Sequence, residues 1–190
     1  MIEKTSARPA TLPLPDPSSP RPAGVFWRPN PDFLDELAAA LRGRRVLEVF
    51  GGNGLLAAHL AARGVEVTCT TEFASHDAHE LGLYHPVAPL DALDACGQLG
   101  DAHDVLLMCW PTTTWRAVAA CDAFGPGRPI AYVGEFTDYA QNQLGGCATD
   151  EFFDRFETVR PIDSYRGNSY EMAAIGRLSP APRPRRSARP

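Results

Sequence analysis

The sequence lacks any CxxC pair, and its cysteines are odd in number: Cys69, Cys96, Cys109, Cys121 and Cys147. Disulfide frameworks belong mainly to small secreted chains, and structural zinc sites to clustered thiols, so neither is expected. Reduced thiols in a cytoplasm fit better. No apolar run approaches the roughly 20 residues of a membrane helix. The N-terminal "MIEKTSARPATLPLP" has no apolar core of signal-peptide length. Basic surface is scarce as well. The formal net charge is −5, and the ends of the chain are positive. Residues 1–24 carry three basic side chains against two acids, and residues 179–190 carry four arginines and no acid, which leaves the body at −10. Binding along nucleic acid phosphates needs a lysine and arginine surface, so an acidic body argues against it. A small or cationic ligand suits it better.

Large apolar residues are also rare at both ends. Residues 1–24 hold six prolines and read as a disordered or extended arm, and "SPAPRPRRSARP" (179–190) reads the same way. The folded body is expected over 25–178. "RPNPDFLDELAAALRG" predicts a helix over 31–42, with Asn30 as N-cap, Pro31 at the first position and Gly43 at the end. Then the pattern alternates. Strands are expected over 45–50, 65–71, 104–110 and 129–135, and helices over 54–64, 114–124 and 149–159. A short helix fits 75–81. Two last strands, near 160–165 and 169–178, would form a hairpin through "RGNS". Alternating β and α units mean a doubly wound, mostly parallel sheet with helices on both faces, here closed by an antiparallel hairpin.

The chemistry concentrates in "RRVLEVFGGNG" (44–54), an apolar strand that carries Glu48 and breaks into a glycine turn before a helix. In a doubly wound sheet, ligands bind beyond the carboxyl ends of the strands. Glycines let the backbone approach a ligand, and the first amides of the next helix are open donors. Glu72 ends the second strand, 20 residues after Gly52. A carboxylate there can accept from both hydroxyls of a ribose. "GNGLLA" satisfies the G-x-G-x-x-G/A pattern of NAD proteins and equally that of S-adenosylmethionine proteins. Glu48 favours the second, because a pyrophosphate repels a neighbouring acid while an ammonium or sulfonium group attracts one. The chain also leaves no room for the substrate domain that usually follows an NAD domain.

"VLEVFGGNG" with Glu72 resembles motifs I and II of the class I S-adenosylmethionine-dependent methyltransferases, and "MCWPT" with "YVGE" and "GGCATDEFF" resembles a sparsely characterised branch of them. The resemblance covers about residues 25–178. It implies a seven-stranded sheet of order 3-2-1-4-5-7-6 with S-adenosylmethionine over the glycine turn. It places Glu48 at the amino acid end of the cofactor, with Gly52 and Gly54 beneath it. Glu72 falls on the ribose, and Asp91 with Ala92 (Asp94 being the alternative acid) beside the adenine. The family usually has glycine where Phe50 stands. "MCWPT" lies where the family keeps ligand-facing residues, which brings in Cys109 and Trp110. It lacks the polar residue and first proline of the amino-methylating motif, so N6-adenine methylation is not expected.

Methyl transfer needs alignment and exclusion of water, and a general base only if the nucleophile is protonated. The candidate bases are Glu135, at the end of the fifth strand, and His85, on the approach to the third. A helix-capping or lid-anchoring role for Glu135, and an ordinary loop position for His85, are the alternatives. "FTDYAQNQLGGCAT" (136–149) is a long polar connection whose Tyr139, Asn142 and Gln143 are candidates for substrate selection. Trp27 either closes the site or staples the first helix. "SHDAHE" (75–80) offers His76 and His79, but with no partners evident elsewhere it reads as a solvated face, and no metal is expected. The functional expectation is a methyltransferase acting on nitrogen or oxygen of a small molecule. Aminocarboxypropyl transfer, a macromolecular acceptor and a catalytically silent binding module remain open.

Overall fold

A computed structural model describes residues 10–73, 77–137, 142 and 144–180. Its centre is a seven-stranded sheet of order β3-β2-β1-β4-β5-β7-β6. The strands are β1 Arg45–Val49, β2 Glu66–Thr71, β3 Val87–Pro89, β4 Val105–Cys109, β5 Pro129–Glu135, β6 Phe156–Pro161 and β7 Glu171–Leu178. The first five pair in parallel, and β7 runs antiparallel to both β5 and β6. The helices are α1 Pro31–Leu41, α2 Leu55–Ala61, α3 Ala92–Leu99, α4 Arg116–Phe124 and α5 Asp150–Arg155. No helix among the described residues is long and apolar enough to cross a membrane.

Period-two alternation in the central strands builds two cores. Val46, Val105, Leu107, Ala131 and Val133 face one layer with Phe33, Leu34 and Leu37 of α1 and Leu55, Leu56 and Leu60 of α2. Leu47, Val49, Leu106, Met108, Ile130 and Tyr132 face the other, with Ala95, Ala117, Cys121 and Phe152 of α3, α4 and α5. Both faces are covered, which is why β4 is apolar throughout. All five cysteines are buried free thiols, four of them in these layers. Glu48 points to the first layer and is 1% exposed.

Local signals explain most boundaries. Asn30 caps α1 by accepting from the Phe33 amide at 2.8 Å, with Pro31 behind it. The helix expected over 149–159 is instead the short α5 followed directly by β6, which also displaces the expected 160–165 strand. Phe156 pairs with Leu178 and Thr158 with Gly176, so sheet pairing overrides a pattern that looks helical locally. A register shift between Thr158 and Arg160 marks a bulge in that edge strand. Helix α3 was not expected. Its cap, Asp91, accepts from the Asp94 amide at 2.8 Å, while Gly97 weakens its helical pattern. Of the short helix expected over 75–81, the described residues form one 3-10 turn, His79–Leu81. The described part of the proline-rich arm is extended and tied down. Leu12 donates to Leu83 O, Leu83 donates to Ala10 O (both 2.8 Å), and Asn53 Nδ2 donates to Ala23 O at 3.3 Å.

Candidate cofactor crevice

Strands β1 and β4 end side by side in the middle of the sheet, and each end turns through an aromatic residue in the left-handed region. Phe50 has φ 58° and Trp110 has φ 54°. Bulky residues rarely sit there, because Cβ crowds the following carbonyl. Gly52, between them and α2, has φ 52°. Over this turn lie Asp77 and an N-terminal strap, residues 24–27. A Cβ on Gly24 would stand 2.3 Å from the Asp77 carbonyl oxygen, so the strap rests directly on that segment.

Phe50, Trp110 and Asp77 divide the crevice into two chambers of about 50 Å³ each. The first is lined by Glu48, Gly52 and Cys109, together with Phe26 and Trp27 of the strap. The second is lined by Thr71, Glu72, Ala92 and Thr112. Six of the sequence candidates, Glu48, Gly52, Glu72, Ala92, Cys109 and Trp110, therefore converge on one crevice at the carboxyl edge of the sheet.

The chambers differ in electrostatics. In the first, Glu48 Oε2 is buried without a hydrogen-bond partner. Burial pushes this carboxyl up to about 7, and the Cys69 thiol and the Ala57 backbone offset only part of that. A buried oxygen left open in this way is costly unless something cationic or donating meets it. In the second, Glu72 is half-exposed and bound by the Arg116 guanidinium, which also lies 3.9 Å from Asp91. Asp91 is thereby both the cap of α3 and a distant partner of Arg116, while Asp94 is exposed in the first turn of α3.

Four expectations need correction. Gly54 does not line the crevice: a Cβ there would meet His85 Cβ and Val87 Cγ2 at 3.0 Å, so this glycine permits close packing of the turn against β3. His85 lies behind it, with Nε2 3.4 Å from Val67 O, and lines a separate groove of about 1140 Å³ on the β2–β3 side. Glu135 Oε2 accepts from the Gly146 amide at 2.6 Å, which is the loop-anchoring role. It lines a different cavity, of about 380 Å³, with Asn142, Leu144 and Tyr170. Neither candidate base reaches the crevice. His79 Nε2 lies 3.0 Å from Gly52 O and 3.7 Å from Asp77, which makes it a brace of the glycine turn. His76, Tyr139 and Gln143 lie outside the described residues.

Sequence reasoning missed Asp77, Phe26 and Arg116. Arg116 had a signal. A cation in the first turn of a helix opposes the helix dipole, so an arginine there implies an anionic partner elsewhere. Asp77 had none, because its place depends on how the β2–β3 connection folds back. Trp27 does what both of its readings required: it lines the first chamber and packs on Phe33 of α1, with ring centroids 5.9 Å apart.

No family model matches the chain, and the search of curated proteins finds no relative. Similarity appears in the fold. The chain matches a mutant of MtNAS in complex with S-adenosylmethionine at 19% identity and TM-score 0.53, over 79% of this chain and 63% of that one. It matches human N-acetylserotonin methyltransferase in complex with the same molecule at 11% identity and TM-score 0.50, over 78% of this chain and 52% of that one. It matches TehB from Haemophilus influenzae at 13% identity and TM-score 0.51, over 80% and 63%. The chain thus spans between half and two thirds of the length of these proteins. At such identities the likeness is one of architecture alone.

Proposed function

We propose that this protein binds S-adenosylmethionine and transfers its methyl group to a nitrogen or oxygen of a small molecule. One observation carries the reading. A buried Glu48 carboxyl with one oxygen, Oε2, left without a partner stands under a glycine turn at the carboxyl edge of the sheet, and a second carboxylate, Glu72, stands at the other end of the same crevice. An elongated ligand with a cationic end and a diol suits that pair. Two of the similar folds are complexes with S-adenosylmethionine. The resident residues fit the cofactor in donor chemistry: Glu48 for the ammonium or sulfonium end, the turn at Gly52 for close approach, Glu72 for the ribose, and Ala92 for the adenine edge. They do not fit it in volume. Chambers of about 50 Å³ fall far below the ~300–1,000 Å³ of a small-molecule site. Arg116 must therefore release Glu72, and the chambers must widen around the ligand on binding.

When bound, S-adenosylmethionine supplies an electrophilic methyl group. The protein's share is alignment and dryness. The strap bearing Phe26 and Trp27 forms one wall of the Glu48 chamber and limits its access to water. Glu48 holds the cationic end once ionised, and Glu72 fixes the ribose once Arg116 releases it. Neither His85 nor Glu135 lines the crevice, which favours an acceptor that is already nucleophilic at neutral pH. The acidic body and the lack of a basic stripe favour a small acceptor. A catalytically silent binding module is the second reading, favoured by the Arg116–Glu72 pair that fills the nucleoside end.

Calorimetric titration with S-adenosylmethionine, S-adenosylhomocysteine and NAD⁺, repeated on Glu72→Ala, tests the proposal. Binding of the first two, weakened in the variant, is the expected result. Binding of NAD⁺ alone overturns it, and binding of none points to the silent module.

A further inference from the structure

The Glu48 chamber has walls that the glycine turn does not require. Four aromatic residues line it, Phe26, Trp27, Phe50 and Trp110, with the carboxylates of Glu48 and Asp77. Phe26 and Trp110 have ring centroids 6.2 Å apart, and Trp27 is 5% exposed. Two of the four are held at positive φ, where glycine is the unstrained choice. Strain of that kind persists only where surroundings enforce it, and it clusters at ligand clamps. A space of about 50 Å³ is far below the ~300–1,000 Å³ of a whole small-molecule site and needs only modest widening to take a small head group. It suits a compact head group, not a nucleoside. Aromatic rings around a small space, with acids beside them, suit organic onium ions, because the ring quadrupole attracts a cation that is too alkylated to hydrogen-bond.

We infer that the chamber is an aromatic cage for an onium centre, and that Phe50 makes the site discriminate a sulfonium from a neutral thioether. This rests on the reading above for its natural ligand and adds a specificity that the reading does not require. A carboxylate and a glycine turn accept both forms of the ligand at its amino acid end. The rings respond to positive charge, and the charge at sulfur is the one that the two ligands do not share. A site of this kind releases the demethylated thioether more readily than it releases the charged donor.

The test is titration of the full-length protein, Phe50→Leu and Phe50→Tyr with S-adenosylmethionine, S-adenosylhomocysteine and tetramethylammonium. Leucine keeps apolar bulk and the β-carbon but has no π face, and tyrosine keeps the face. Thermal melts of all three proteins confirm equal folding. The expected result is that the sulfonium-over-thioether affinity ratio falls about 5- to 30-fold in Phe50→Leu and is kept in Phe50→Tyr. Tetramethylammonium should bind the native protein and not Phe50→Leu. A ratio that changes by less than about 2-fold in Phe50→Leu overturns the cage and leaves the S-adenosylmethionine reading standing. Phe50-dependent binding of tetramethylammonium by a protein that binds neither nucleoside supports the cage and overturns that reading. Binding of none of the three overturns both.

Discussion

At Phe50 the usual ranking of alanine and glycine should invert. Its φ of 58° places an L-residue in the left-handed region, at a cost of ~1–2 kcal/mol. Phe50→Ala keeps that cost and Phe50→Gly removes it. Glycine carries its own penalty, ~0.4–1 kcal/mol, from the larger freedom of the unfolded chain. The difference leaves glycine ahead of alanine by about 0.5–1 kcal/mol. Both variants lose the contacts of a half-buried ring, roughly half the ~3–5 kcal/mol of a buried Phe→Ala change. Phe50→Ala is therefore expected some 2 kcal/mol below the native protein and Phe50→Gly about 1 kcal/mol below it. In a domain of this size that separates the two melting temperatures by ~1–4 °C. Urea melts read the same ordering. Ala39→Gly, in the exposed middle of α1, is the control, where glycine should lose ~1 kcal/mol. An alanine variant as stable as the glycine one would falsify the claim that Phe50 is strained.

Four further outcomes follow from three named groups. Glu48 has its carboxyl raised to about 7 by burial, so the folded state keeps its proton while the unfolded state gives it up. Stability should fall as pH rises from about 4.5 to about 7 and then level off, with Glu48→Gln flattening that slope in pH-dependent melts. A cation binding beside Glu48 favours its ionised form, so S-adenosylmethionine affinity should rise from pH 6 to 8 in the native protein and not in Glu48→Gln. Arg116→Ala removes an exposed ion pair, worth within ~0.5 kcal/mol of stability, and frees Glu72; titration should show tighter nucleoside binding, and weaker binding would refute the competition. Arg155 is 4% exposed, donates from Nε to Ser179 O at 2.9 Å, and pairs with Asp122 and Glu151, both of which reach solvent. Arg155→Ala leaves no buried charge behind, so chemical denaturation should show a loss of ~1.5–3 kcal/mol, below that of breaking a fully buried pair.

What the sequence could convey was limited by the range of its signals. The β1 turn was legible because apolar strand, acid and glycines are consecutive, and α1 because its cap and proline are. The α5–β6 junction was not, since the choice between helix and strand at Phe156 is made by β7, which lies more than ten residues further on. The crevice was half legible. Glu48 and Glu72 announce themselves by position at strand ends. Asp77 and the strap come from segments whose backbone carries no periodic pattern, so their arrival over the turn is a tertiary event. His85 and Glu135 were drawn toward the site by proximity to strand ends, yet in a sheet the direction of the side chain decides, and both turn into other cavities.

The five buried thiols turn the protein into its own reporter of motion. Cys69 sits on β2, Cys96 on α3, Cys109 at the end of β4, Cys121 on α4 and Cys147 just before α5. Burial pushes every one of them above the ordinary thiol range, so little thiolate exists in the closed state. An alkylating reagent can modify each cysteine only while its own region is open, at a rate set by that opening. Mass spectrometry of a timed alkylation would then resolve which regions open independently and which only on global unfolding. Ligand-dependent slowing confined to Cys109 would report closure of the crevice without any engineered label.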